Sequence, residues 1–465
     1  MGNNSDNTTE RHKIEIIKND LLKYLKGFRL SHYILRPYVY GLLRVYHSNI
    51  VIDGFEDIDW DKPVILAPSH QNAFMDALLV VSRTPYEPES YLYPLIRADV
   101  YENNILRNIV SEFHMIPVFR PRDRENIANS NRAVFELCED LLANNRNLLI
   151  HPEGNCIPHK KVRTFRKGFA RIAFGAEDRH NFSLDVQIIP VSINYQYITR
   201  PNGYIHLLFE KPVSVRSYEQ LYNASPAQAI TKLTRDVEKV VRRNNVDIEH
   251  SSNYKLANDL FDLFEPTQKN APLADKFDEH KKIANKLNSM EKSAKESLKS
   301  EVTQYKNKVE ELSLTESMLP ANSVKWYHLT GYVLLFLVTL PVFLFGWIHH
   351  VLPYFAFNWI VRHKVRDIQF KSSARYMLWF IFLPFFYVLI ALATGIISSN
   401  IWIGLFYAIL TGISGLAAYK LHQFYKTWWH DLKYAVQSII NKKKIAGLKK
   451  HSSSIKSRIL TSDAA

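Results

Sequence analysis

Hydrophobic patterning divides the chain into three regimes. In the first, the apolar runs Ile50–Ile52, Val64–Ala67, Tyr91–Ile96, His114–Phe119, Leu148–Ile150, Val186–Tyr195 and Ile205–Phe209 read as short, largely buried strands. Between them, Asp76–Ser82, Ile127–Asn144 and Phe165–Ala176 show helical spacing. The second of these lines up Val134, Leu137, Cys138, Leu141 and Leu142 on one face. Strands alternating with helices predict an α/β domain over residues 50–250, with a mostly parallel sheet and its site at the carboxyl ends of the strands.

The second regime, 251–325, is predicted to be a charged helical linker. Within 278–312 Lys and Glu dominate, and Ile283, Leu287, Met290, Ala294, Leu298, Val302, Tyr305, Val309 and Leu312 recur by threes and fours. That pattern predicts a long solvated helix or helical hairpin, with a dimerising coiled coil as the alternative. In the third regime, Leu329–Ile348, Tyr376–Ser398 and Ile401–Tyr419 contain no Asp, Glu, Lys or Arg. The second and third are long enough to span a bilayer. The first holds Pro341 and is followed by Pro353, so 329–360 is expected to be a broken, re-entrant or interfacial pair.

Upstream, residues 1–49 read as amphipathic. Residues 11–27 form a polar helix, and 28–48 interleave aromatics and leucines with Arg29, Arg36 and Arg44 around Pro37. They predict either an interfacial helix pair on an anionic leaflet or a helix packed on the domain.

Charge and cysteine content narrow the class. The formal net charge is +14, and the 421–465 tail with Lys420 carries ten Lys or Arg against two Asp. Because the cations accompany apolar spans, they point to an anionic membrane surface and away from nucleic acid. Cys138 and Cys156 have no paired spacing, which fits a reducing compartment and neither a disulfide scaffold nor a metal site. Met1–Asp20 lacks the apolar core of a secretory signal. Cytoplasmic loops carry the excess Lys and Arg. The basic 362–375 loop and basic tail therefore favour two crossings, a cytoplasmic tail and a catalytic domain on the cytoplasmic face.

The candidate chemistry follows the strands. His70 stands just past the Val64–Ala67 run and Asp76 about one helical turn on. A carboxylate there can hold one imidazole nitrogen and leave the other to take a proton from a hydroxyl. A loop histidine beside a helix-capping aspartate has the same spacing, so the surrounding loops must carry the distinction. Arg120-Pro121-Arg122-Asp123-Arg124 follows one strand. His151-Pro152-Glu153-Gly154-Asn155 follows another and leads into Lys160, Lys161, Arg163, Arg166 and Lys167. Guanidinium groups and glycine-loop amides suit a phosphate-bearing substrate.

In order, His70 to Asp76, Pro117-Val118-Phe119-Arg120, Pro152-Glu153-Gly154 and Ile189-Pro190-Val191 resemble the four blocks of the glycerolipid acyltransferase (PlsC-type) superfamily. The resemblance covers roughly residues 30–250. Five residues between His70 and Asp76, where most of the superfamily has four, resemble the glycerol-3-phosphate/dihydroxyacetone-phosphate acyltransferase branch, which also carries carboxyl-terminal membrane segments. The resemblance implies a PlsC-type α/β domain in which His70 is general base and Asp76 orients it. Arg120, Glu153 and Gly154 would bind the glycerol phosphate, and Pro190 would shape the acyl-donor side. Asn155-Cys156-Ile157 replaces the arginine-bearing continuation of the third block, leaving Lys160, Lys161, Arg163 and Lys167 to supply its cation.

The implied reaction transfers a fatty acyl group from a thioester to glycerol 3-phosphate or dihydroxyacetone phosphate in phospholipid synthesis. The alternative acceptor is 1-acylglycerol 3-phosphate, and the non-enzymatic alternative is a membrane scaffold. No cofactor is expected; acyl-CoA or acyl-carrier protein would be co-substrate. Membrane lipids, the acceptor, the donor and a homodimer partner are the expected partners. A covalent thioester on Cys156 is the disfavoured route, since no second base is apparent.

Overall fold

The computed structural model describes residues 30–84, 91–98, 114–118, 127–265, 271–319 and 326–460. They form two compact units, Met1–Asn245 and Val246–Ala465. The first begins with helix α1 (Leu30–Tyr46), which continues through Pro37 and buries Val39, Leu43 and Tyr46. It is thus a single helix with a packed face, the second of the two arrangements its sequence allowed.

The sheet strands are β1 (Asn49–Asp53), β2 (Val64–Pro68), β3 (Leu92–Arg97), β4 (Ile116–Val118), β5 (Asn147–Leu149), β6 (Gln187–Tyr195), β7 (Tyr204–Phe209) and β8 (Val213–Ser214). Their order is β1-β7-β6-β2-β5-β3-β4, with β8 paired to β6. The run β6-β2-β5-β3-β4 is parallel throughout, whereas β7 and β8 lie antiparallel to β6 and β1 follows β7. Every residue of β2, β5 and β6 is buried, which is why those segments read as unbroken apolar runs.

Helices α2 (Ala73–Val81), α3 (Ile127–Ala143), α4 (Gly168–Arg179), α5 (Glu219–Ala224) and α6 (Pro226–Asn244) complete this unit. The α3 face forms as predicted, with Val134, Leu137, Cys138 and Leu142 fully buried. Helix α6, outside the runs assigned from the sequence, packs Ala229, Leu233, Val237 and Val241 into the same core. These four recur every fourth residue, so the signal was present. Removing each such side chain from water is worth roughly 1.5–3 kcal/mol for the larger ones.

The second unit joins helices α7 (Tyr254–Phe264), α8 (Leu273–Ser289) and α9 (Lys292–Glu311) to the tail helix α13 (Lys442–Leu460). Ile283, Leu287, Leu298, Val302, Tyr305 and Val309 are buried within the chain together with Ile445, Leu448, Ile455 and Ile459 of α13. Much of the apolar stripe of 278–312 is therefore buried within the chain, across the two successive helices α8 and α9. The tail is likewise a packed helix.

Three helices long and apolar enough to cross a membrane follow: α10 (Trp326–Lys364), α11 (Ile368–Ile397) and α12 (Ile401–Ile440). The helix α10 contains both Pro341 and Pro353. Small residues let these helices approach closely: Gly404 lies against Ala391 and Gly395, Gly346 against Ser414, and Gly415 beneath the His350 ring.

Candidate active site

Adjacent parallel strands β6, β2 and β5 end together, and their carboxyl ends deliver the site. Pro68 of β2 is level with Val191, so the longer β6 extends four residues past it to Tyr195. Ser69 fastens the crossing: its N–H donates to Val191 O at 3.0 Å, and its Oγ accepts the Ile193 N–H at 3.1 Å. His70 then leaves the sheet, and α2 begins three residues later.

The predicted pair is formed. His70 Nδ1 lies 2.9 Å from Asp76 Oδ2. Asp76 is in the first turn of α2 and completely buried. Its Oδ2 also accepts the backbone N–H groups of Gln71 and Asn72, each at 2.8 Å, while Oδ1 accepts the Tyr195 hydroxyl at 2.5 Å. Burial works to raise the Asp76 pKa, but the hydrogen bond and charge of His70, with help from His151 and Tyr195, outweigh it and hold the carboxyl below its usual range. A carboxylate can only accept, so Nδ1 carries the proton and Nε2 presents its lone pair outward. The imidazole is partly accessible, its side chain 16 % exposed.

Two residues from the loop after β5 brace His70. His151 stacks on its ring, centroids 3.9 Å apart and planes 17° apart. Its buried nitrogens have no well-formed hydrogen bond, and burial, reinforced by the His70 charge, lowers its pKa to about 3, so it stays neutral. Glu153 Oε1 accepts the His70 N–H at 2.9 Å, while Oε2 accepts Arg163 Nε at 2.8 Å. Burial raises the Glu153 pKa against the opposing pull of Arg163. With both oxygens engaged and its side chain fully buried, Glu153 supports the His70 backbone and holds Arg163.

The other anticipated residues separate. Gly154 turns at φ +73°, where a Cβ would strike the Arg166 side chain within 2.8 Å, so Arg166 lies directly over the loop. Its backbone N–H is pinned to Pro152 O at 2.8 Å. Arg163 is committed to Glu153, Lys160 is buried at 3 % exposure, and Lys167 donates to Thr231 on α6. Lys161 and Asn155 are exposed. Pro190 is buried within β6 opposite Ala67, one residue before the level at which β2 ends. Arg120 and its loop lie outside the described residues.

Cys156 Sγ accepts the Ala73 N–H at 2.9 Å, and burial pushes its thiol up to about 12. A thiol that holds its proton so firmly is a poor nucleophile. Donor atoms of His70, Asp76 and Cys156 lie within 4.8 Å of one another. A metal there would have to displace the hydrogen bonds that already saturate Asp76 and occupy the sulfur. What remains is an oriented base with a free nitrogen, beside a glycine loop crossed by an arginine.

Residues 49–194 match the family model described as Acyltransferase. The matched stretch is the mostly parallel α/β sheet with its helices, and further helices, three of them long and apolar, follow it. Among solved structures, the chain is similar to the 1-acyl-sn-glycerophosphate (LPA) acyltransferase PlsC from Thermotoga maritima. The two are 19 % identical over 46 % of this chain and 82 % of that one, with a TM-score of 0.33. No curated protein matches the chain.

Proposed function

We propose that the protein is a membrane-bound O-acyltransferase of phospholipid synthesis, passing a fatty acyl group from a thioester to glycerol 3-phosphate or dihydroxyacetone phosphate. The observation that carries this reading is the His70–Asp76 pair with Nε2 open, at the strand ends of a domain matching the acyltransferase family. Nε2 removes the proton from the acceptor hydroxyl as its oxygen attacks the thioester carbonyl. The new C–O bond forms, the C–S bond breaks, and the thiolate leaves and takes up a proton. Asp76 fixes the tautomer and stabilises the imidazolium. No cofactor enters these steps, and acyl-CoA or acyl-carrier protein serves as co-substrate.

The acceptor phosphate is held at the Gly154 loop by Arg166, and the resemblance to the acyltransferase blocks adds Arg120 as a second phosphate ligand. A planar guanidinium suits a phosphate monoester; Arg163 already spends its Nε on Glu153, and Lys160 is buried. The domain faces the cytoplasm, where such thioesters are made.

The test is thiol release by the purified protein in detergent across a panel of acceptors and donors. Turnover with glycerol 3-phosphate or dihydroxyacetone phosphate supports the reading. Turnover confined to 1-acylglycerol 3-phosphate reassigns the acceptor. No turnover with any phosphorylated glycerol leaves the scaffold reading in its place.

A further inference from the structure

The second unit contains enough internal pairings to count how often it crosses a bilayer. Its tail helix α13 packs on helices that precede the membrane segments. Arg458 Nη1 donates to Glu301 Oε2 at 2.9 Å, the His451 ring meets Tyr305 edge-on at 5.6 Å, and Lys456 Nζ lies 5.4 Å from the Phe264 ring centre. Chain before α10 and chain after α12 thus belong to one packed, charged body, and a bilayer cannot pass between them. The chain from α10 to α12 must therefore cross an even number of times.

Side-chain pairings fix the directions of these helices. Going down α10, Tyr332, Phe336, Gly346 and His349 meet Phe424, Trp428, Ser414 and Tyr407, so this half of α10 runs antiparallel to α12. Along α11, Tyr387 and Ala391 meet Gly412 and Gly404, so this half also runs antiparallel to α12. Continuing along α10, His350, Phe357 and Asn358 meet Tyr387, Trp379 and Arg375, so that half of α10 runs antiparallel to α11.

Two straight rods that are each antiparallel to a third are parallel to each other. All three pairings hold only if α10 or α11 bends where the partnership changes. That point lies at His350 on α10 and Tyr387 on α11, and Pro353 and Pro384 stand beside it. Each proline removes a helical N–H and crowds the carbonyl four residues back, the usual cause of a sharp bend. Pro341 sits inside a stretch paired with α12 on both sides and turns nothing.

The depth of the bend follows from α12. Its apolar stretch Ile401–Tyr419 is about 28 Å long at 1.5 Å per residue, one bilayer core. His349 and His350 lie against Tyr407 and Gly415, near the middle of that stretch. One end of α12 joins the packed body and the other ends at the short turn to α11, so α12 crosses. Evenness then leaves one further crossing for α10 and α11 to supply between them.

If α10 made it, the loop holding Arg362, Lys364, Arg366, Lys371 and Arg375 would share the far face with Ser399. If α11 makes it, that loop returns to the face of the basic tail. Excess Lys and Arg stay on the cytoplasmic side. At the end of α10, Trp359 stacks on His363 and has Lys364 Nζ 5.9 Å over its ring, an arrangement suited to a headgroup boundary.

We infer that the unit crosses the bilayer twice, through α11 and α12, while α10 enters from the cytoplasmic face to mid-depth, bends beside Pro353 and turns back. Only the turn around Ser399 reaches the opposite face. The inference is independent of the acyl-transfer reading, because its readout involves no turnover.

The test uses the full chain with Ser399→Cys, Asp367→Cys or Ser453→Cys, expressed in bacterial spheroplasts. A membrane-impermeant maleimide is applied before and after permeabilisation, with the parent chain as baseline for Cys138 and Cys156. Labelling above baseline at position 399 in intact spheroplasts, and at 367 and 453 only after permeabilisation, is expected. Intact labelling at both 367 and 399 transfers the second crossing to α10 and overturns the inference. Positions 399 and 453 responding from the same side break the even count and overturn it as well.

Discussion

Tyr195→Phe isolates one hydrogen bond and leaves the surrounding packing in place. The ring is 1 % exposed at the end of β6, and its hydroxyl is one of four donors to a fully buried carboxylate. Losing a hydrogen bond to a charged group costs about 1.5–3 kcal/mol of stability. If roughly 1.4 kcal/mol of that is felt at the transition state, kcat/KM falls about tenfold. A carboxylate with one donor fewer also holds a proton on its partner imidazole more tightly, so the acid limb of the kcat/KM profile moves to higher pH. The assay is thiol release between pH 5.5 and 9, with thermal unfolding recorded on the same preparations. A variant that melts lower but keeps both rate and acid limb would show that Tyr195 only packs the strand end, refuting its role in orienting the base.

Arg166→Ala and Arg120→Ala should each raise the acceptor KM more than the donor KM, measured with the two substrates varied in turn. Arg163→Ala should instead lower kcat and the unfolding temperature together, because it acts through Glu153; an isolated KM effect would contradict the ion pair's supporting role. Cys156→Ala should keep turnover within a few-fold, and its abolition would revive a covalent intermediate. Burial pulls the folded-state pKa of His151 from 6.5 to about 3, so the unfolded chain takes up a proton that the folded one refuses as pH drops below 6.5. The stability it contributes is complete above that value and is lost progressively down to about pH 3. His151→Phe keeps the stack and removes the titration, so its melting temperature should depend less on pH between 6.5 and 4 than that of the parent chain.

The sheet was legible because its central strands are buried on both faces, and uninterrupted apolar runs such as Val64–Ala67 mark such strands. His70 and Asp76 were legible because both sit in one strand-to-helix turn, where six residues of separation become 2.9 Å. Tyr195 and His151 were not: they reach the pair through strand order, which places the ends of β6 and β5 beside β2. Nothing in the local sequence states that order. The bonds of Glu153 were not legible either, because they join it to His70 across strand order and to Arg163 ten residues on. The continuous helix through Pro341 shows a neighbouring apolar helix overriding a local breaker, since α12 pairs with α10 on both sides of it.

The role of His70 as the base for acyl transfer to a phosphorylated glycerol underlies every step proposed above. It is tested most directly by comparing thiol release from an acyl thioester by wild-type and His70→Ala protein, purified in the same detergent with glycerol 3-phosphate as acceptor. Matched unfolding transitions confirm that both are folded. Acceptor-dependent turnover by the wild type and its loss by at least a hundredfold in the variant are expected, within the range general-base catalysis supplies. A folded His70→Ala protein that keeps near-normal acceptor-dependent turnover would contradict it.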